Sequence, residues 1–188
     1  VYVFHPRHQP GQKRPVLEEA GLEGLPVFRA AMDIDPTNPA DYFFNAGQED
    51  LFRQLLGRLR PDIVHFVYYA GGLSLGLASV AKKAGARVFV TVTDYAGVCP
   101  RGQLLDAENL MCPGPREGIR CLECLHARPL FEGHSRISAL ARDWLPPALV
   151  RDGIRPELAI LRRRLRAARE IFDLAELVIF PAENTRAR

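Results

Sequence analysis

Lysine is scarce: of 25 basic residues only Lys13, Lys82 and Lys83 are lysines. Genome composition can produce such a bias toward arginine without a functional cause, and no function is assigned to it. The chain also lacks a dominant charge, since 25 basic against 22 acidic residues leave a formal charge of +3. Long-range attraction to nucleic acid is therefore not built into the molecule, and a nucleic-acid partner is not expected. No apolar run is long enough to cross a bilayer. The longest candidate, Ile63 to Ala81, is broken by glycines and divides into a strand, a turn and a helix. Neither a starting Met nor the charged, apolar and small-residue succession of a signal peptide opens the chain. It begins on Val1-Tyr2-Val3-Phe4, already strand-like, so residues upstream are expected to be missing. Internal repeats and low-complexity segments are absent.

What is present suits one core. A chain of 188 residues, 47% of them apolar, reads as a single domain spanning 1–188. Strands are expected at Val1 to His5, Pro26 to Ala31, Asp62 to Tyr68, Arg87 to Thr93 and Leu177 to Phe180. Most are short, β-branched and apolar on both faces, as in a buried parallel sheet. Helical spacing marks Gln48 to Leu59, Ser74 to Ala84, Arg136 to Asp152 and Glu157 to Phe172, the last with Leu158, Leu161, Leu165, Ala168 and Phe172 on one stripe. Alternating strands and helices imply an α/β fold: a Rossmann-like, open, mostly parallel sheet with helices on both faces. Ligands would then sit beyond the carboxyl ends of the strands. Two regions break the alternation. Asp33 to Asn45 reads as a surface loop. The segment at about 94–135 is longer than a connection in a compact domain usually is, and holds all four cysteines.

Those cysteines, Cys99, Cys112, Cys121 and Cys124, follow a C-x12-C-x8-C-x2-C spacing. The closing CLEC pair matches the turn that presents two thiolates to one tetrahedral ion, which makes structural zinc the first reading. Disulfides and unligated thiols remain open, and an iron–sulfur cluster shares the ligand set. His126 and His134 lie nearby and read as ordinary surface histidines.

The stretch PDIVHFVYYAGGLSLGLASVAKKAGARVFVTVTDYAGVCPRGQLL, residues 61–105, closely resembles the acceptor-side domain of family 4 glycosyltransferases. In that family a PDIVH-type strand leads through a small-residue turn into a helix, then a strand ending in His-Asp, then in one branch a Cys-Pro-x-Gly segment. Here the last is Cys99-Pro100-Arg101-Gly102. AELVIFPAENTRAR, residues 175–188, is similar to the family's Ala-Asp-x-Val-Ile-x-x-Ser-Glu segment. The resemblance implies a retaining enzyme of GT-B fold that needs no cofactor for catalysis. Its nucleotide-sugar donor would be held by a carboxyl-terminal domain that this chain lacks. It implies a carbohydrate or lipid-linked acceptor, and a cytoplasmic protein with peripheral contact at the inner face of the membrane. Val1 to Pro6 would be the family's second strand, the first being missing. Two departures stand out: Thr93 replaces the family's His, and Ala182 its Ser, although Asp94 and Glu183 are retained.

The candidate substrate-binding residues follow from these matches. Gly71 and Gly72 permit a sharp turn whose helix start would offer N–H groups to hydroxyls or phosphate. Thr93, Asp94 and Tyr95 end a strand facing the expected crevice, with Asp94 accepting from sugar hydroxyls or else capping the following turn. Arg101 would meet a phosphate or an acidic sugar, or else stand solvated. Glu183 completes the set, and no catalytic residue is assignable. Arg162, Arg163, Arg164, Arg166 and Arg169 are expected opposite the leucine stripe, as a solvated face or a contact for anionic headgroups. The alternative to an enzyme is a zinc-organised, non-catalytic binding module on the same scaffold.

Overall fold

The computed structural model describes residues 1–35, 39–69, 71–126 and 156–181. The helix expected over 136–152, together with His134, Ala182 and Glu183, lies outside them. The amino-terminal part forms β1 (Val3–His8), β2 (Val16–Leu22) and β3 (Leu25–Met32), in the order β1-β3-β2. β1 runs parallel to β3, with Val3 opposite Val27, while β2 pairs with β3 antiparallel, Leu22 opposite Leu25. Only Glu23 and Gly24 join β2 to β3, both at positive φ (49° and 83°). Such a two-residue turn twists in the sense of the flanking strands. β3 is the central strand, and Val27, Phe28, Ala30, Ala31 and Met32 are buried.

Two helices follow, α1 (Pro39–Phe43) and α2 (Ala46–Leu59). α2 starts where Asn45 Oδ1 accepts the N–H of Gln48 at 2.9 Å and stops at Arg60, which adopts the left-handed conformation. β4 (Ile63–Phe66), α3 (Leu77–Lys83) and β5 (Arg87–Thr91) then form a parallel crossover unit. After the long loop come a 3₁₀ turn (Arg116–Gly118), α4 (Ile119–His126), α5 (Pro156–Leu174) and β6 (Leu177–Ile179). β6 joins β5 in parallel, giving a second sheet in the order β4-β5-β6. Val88 and Val90 of its central strand are fully buried.

Two apolar clusters hold these elements. The larger includes Phe52, Leu56, Leu77, Val88, Val90 and Ile171, and the smaller gathers Ile119, Cys121, Leu122, Leu125, Leu158 and Leu161. α5 belongs to both, its amino-terminal turns to the small cluster and Ile171 to the large one.

The molecule is a mixed α/β protein whose strand pairings are parallel except at β2. Several expectations need correction. The described strands pair in two three-stranded groups, and β2 is a strand the sequence reading missed, because its Glu18-Glu19 pair and Gly21 break the apolar pattern. Asp33 to Asn45 contains α1. The long cysteine segment contains a 3₁₀ turn, α4 and a Leu105–Met111 bridge. Arg164 is not on a solvated face: it is buried in line with Leu158, Leu161, Ala168 and Ile171.

Candidate functional site

The turn between β4 and α3 is braced from α2. Gln48, fully buried, accepts the Ser74 N–H through Oε1 at 2.6 Å and donates through Nε2 to the Gly72 carbonyl at 3.1 Å. Ser74 donates its hydroxyl to Glu49 Oε1 at 2.5 Å and accepts the N–H of Asn45 at 3.2 Å. Gly71 and Gly72 have φ of +66° and +88°, a region that suits glycine. A Cβ on Gly72 would stand 3.0 Å from the Ile34 side chain, so the turn is also tightly covered there. One expectation fails here. The N–H groups of Ser74, Leu75, Gly76 and Leu77 are spent on Gln48, the Phe43 carbonyl, the Ser74 hydroxyl and the Ser74 carbonyl. The helix start therefore does not offer them to a ligand.

The segment after β5 closes on itself. Asp94 Oδ1 accepts the Ala96 N–H at 2.7 Å, the capping arrangement of an Asx turn. Tyr95 donates its N–H to the Gly102 carbonyl at 3.0 Å and receives that of Cys99 at 2.8 Å. Gly102 has φ +73°, and a Cβ there would lie 2.9 Å from Asp94 Oδ2. That explains the glycine of the Cys-Pro-x-Gly segment: the carboxylate lies against its backbone.

These two loops meet in a groove of about 280 Å³ lined by Tyr42, Tyr68, Gly71, Arg101, Gly102 and Gln103. Gly71 and Arg101 of the sequence candidates line it. Gly72 is buried, Asp94 supports Gly102 from beneath, Tyr95 holds the loop through its backbone, and Thr93 is exposed outside the lining. Arg101 is held in place: Nη2 donates to Gln103 Oε1 at 3.0 Å, while Nη1 lies 3.4 Å from the Leu105 and Asp106 carbonyls. Burial, reinforced by Tyr68, raises the pKa of Tyr42 and keeps it a neutral phenol that can donate or accept. Tyr42 and Gln103 were not foreseen, since no local pattern brings α1 to this groove. Among the described residues the lining contains no carboxylate, thiol or imidazole. It can bind hydroxyls and an anionic group, and it holds no evident nucleophile or general base.

Beneath the loop lies Arg164, 3% exposed, donating through Nη2 to the carbonyls of Ala96 and Cys99. Its Nε and Nη1, and the hydroxyl of buried Tyr69, have no partner among the described residues. Burial pushes the Tyr69 phenol up to about 12, with Asp94 adding to the shift and Arg164 opposing it. The four cysteines are free thiols around the same loop. Burial pushes Cys121 up to about 12; Cys99 reinforces this, Arg164 opposes it, and Cys112 and Cys124 reinforce it more weakly. Among the described residues, no three His, Cys, Asp or Glu side chains stand in a metal-holding arrangement.

Arg163 and Arg166 of α5 line a separate cleft of about 600 Å³ together with Arg53 and Lys83 and with Glu49 and Glu170. Arg163 stacks 3.8 Å over the Phe44 ring. Charges of both signs fit a solvated face better than a headgroup site. Among the described residues no helix is long and apolar enough to cross a membrane. No family model, curated protein or solved structure matches the chain.

Proposed function

We propose that this chain is the acceptor-side part of a retaining glycosyltransferase of the GT-B type, its two sheets being parts of one open Rossmann-like scaffold. The observation that carries the reading is the groove: loops following β4 and β5 bring Gly71 and Arg101 together with two phenols and an amide. That lining suits sugar hydroxyls and an acidic or phosphorylated substituent, such as a lipid-linked acceptor carries. The resemblance over residues 61–105 supplies the reaction class. A nucleotide-sugar donor would be held by a second domain, which would also stabilise the departing diphosphate. Cytoplasmic work at the inner face of a membrane belongs to the same proposal.

A non-catalytic binding module is the second reading, favoured by Thr93 in the family's His position. Ligand-observed NMR with neutral, acidic and phosphorylated saccharides tests the shared element. Binding is expected, with Arg101→Ala weakening acidic or phosphorylated ligands about tenfold, the scale of one charge-assisted hydrogen bond. Tyr68→Ala should weaken all of them. Equal binding by all three proteins would remove the groove from consideration. Transfer by a protein containing this chain and a donor domain separates enzyme from module. The chain alone is expected to release no nucleotide from nucleotide sugars, because the donor's binding and orientation are not supplied.

A further inference from the structure

The cysteine loop does something the groove does not require. We propose that Cys99, Cys112, Cys121 and Cys124 bind one zinc ion as thiolates, with Arg101 and buried Arg164 offsetting the negative charge. This assignment does not depend on the sugar reading.

Backbone hydrogen bonds of two of these cysteines and a sulfur contact of a third tie them to one short segment. Cys99 opens a turn in which the Gly102 N–H returns to its carbonyl at 3.0 Å. Cys112 donates its N–H to the Leu104 carbonyl at 2.9 Å, next to the Leu105–Met111 bridge. Cys124 Sγ lies 3.8 Å from the Leu105 carbonyl. Cys121 precedes Cys124 by one turn of α4, so the two project from the same side of that helix. Cys112 Sγ rests 3.6 Å from the Gly114 carbonyl, and Cys124 Sγ beside that of Leu105. These are weak contacts, and χ1 rotation can exchange them for a metal.

The arginines supply the second, independent observation. A guanidinium that is 3% exposed, with two nitrogens lacking acceptors among the described residues, is costly unless negative charge lies beside it. Arg164 reaches this loop at the Cys99 carbonyl, 3.2 Å away. Arg101 Nη1 stands 3.5 Å from Cys124 Sγ. Asp94 acts on Arg164 as one nearby negative charge, and neutral thiols would add none. Four thiolates on a divalent ion leave a double negative charge, which two guanidinium groups balance. Arginines donating to ligand sulfurs are the outer layer that orients and tunes such sites. An all-sulfur tetrahedral set selects zinc among common divalent ions.

The test is metal analysis of the whole chain purified anaerobically with reductant, where about one zinc per chain is expected from the four-ligand rule. Cobalt in its place should show sulfur-to-metal charge transfer and the intense visible bands of a tetrahedral ion. Cys112→Ser and Cys124→Ser change the two half-buried sulfurs and should each lose tight binding. Arg101→Leu should keep the metal but weaken it about tenfold or more in chelator competition. Should the serine variants fail to fold, alkylation of the wild type decides: four thiols protected until a chelator is added. A folded protein without zinc or a cobalt spectrum would overturn the proposal. Zinc retained by the double serine variant, iron–sulfur absorption, or disulfides in protein alkylated before reduction would do the same.

Discussion

Single residues here often do structural work where the sequence suggests ligand binding. Asp94 was a natural sugar-binding carboxylate, yet one of its oxygens is committed to the Ala96 N–H and the other lies against Gly102. Asp94→Ala should lower unfolding free energy by about 1 kcal/mol, the net value of one hydrogen bond, while Asp94→Asn retains most of it. Urea denaturation midpoints read the difference. Arg164 is the larger case. Its Nη2 alone reaches the carbonyls of both Ala96 and Cys99, and a lysine, with a shorter reach and a different head group, would not reproduce that placement. Arg164→Lys is expected to cost about 1–3 kcal/mol, and an unchanged midpoint would contradict that role. Gly71 and Arg101 were legible because turn glycines and motif arginines carry their own signal. Arg164 was not, since helical spacing alone cannot decide which of Arg164 and Leu165 turns inward.

The turn after β4 shows how one element is held by another. Gln48 satisfies both the Ser74 N–H and the Gly72 carbonyl, so Gln48→Leu leaves two buried backbone groups unpaired. A loss of about 1–3 kcal/mol is expected, together with weaker saccharide binding at Gly71, seen by denaturation and NMR on one variant. Gln48 was legible as the start of a helix, but its reach to a turn 26 residues later is a tertiary fact. The β2–β3 hairpin was hidden for a similar reason: Glu23 at positive φ is tolerated by context, not announced by an Asn-Gly pair. The parallel strands were clear because short runs of β-branched, apolar residues leave little choice, even though Ile63, Leu177 and Ile179 prove exposed. β6 is fastened by Glu176, whose carboxylate sits 2.9 Å from both Arg87 and Lys82 and is held below the ordinary glutamate range by them. A lowered folded value means that this contribution is present above the unfolded value and lost as pH falls through the folded one. Melting temperature should therefore drop on acidification below about 4.5. Glu176→Gln or added salt should flatten that drop, since the pair is exposed and screened.

Across the whole molecule, two small sheets leave β1, β2, β4 and β6 paired on one side only within the described topology. Val3, Val16, Ile63, Leu177 and Ile179 on them are exposed. Unpaired apolar strands invite other chains, so association rising with concentration is expected in sedimentation, and Ile63→Lys should reduce it. α5 has a further consequence. Because Leu158 and Leu161 pack with α4 while Ile171 packs with the β4-β5-β6 core, neither cluster can melt without stripping one flank of the same helix. The two cores share one unfolding event, and a ligand bound near one protects amides in the other. An ion held by the cysteines at a thousand times its dissociation constant would add about 4 kcal/mol to that common event. Chelation should then speed hydrogen exchange at Val88 and Val90 as well as at Leu122, far along the same rod from where the metal left.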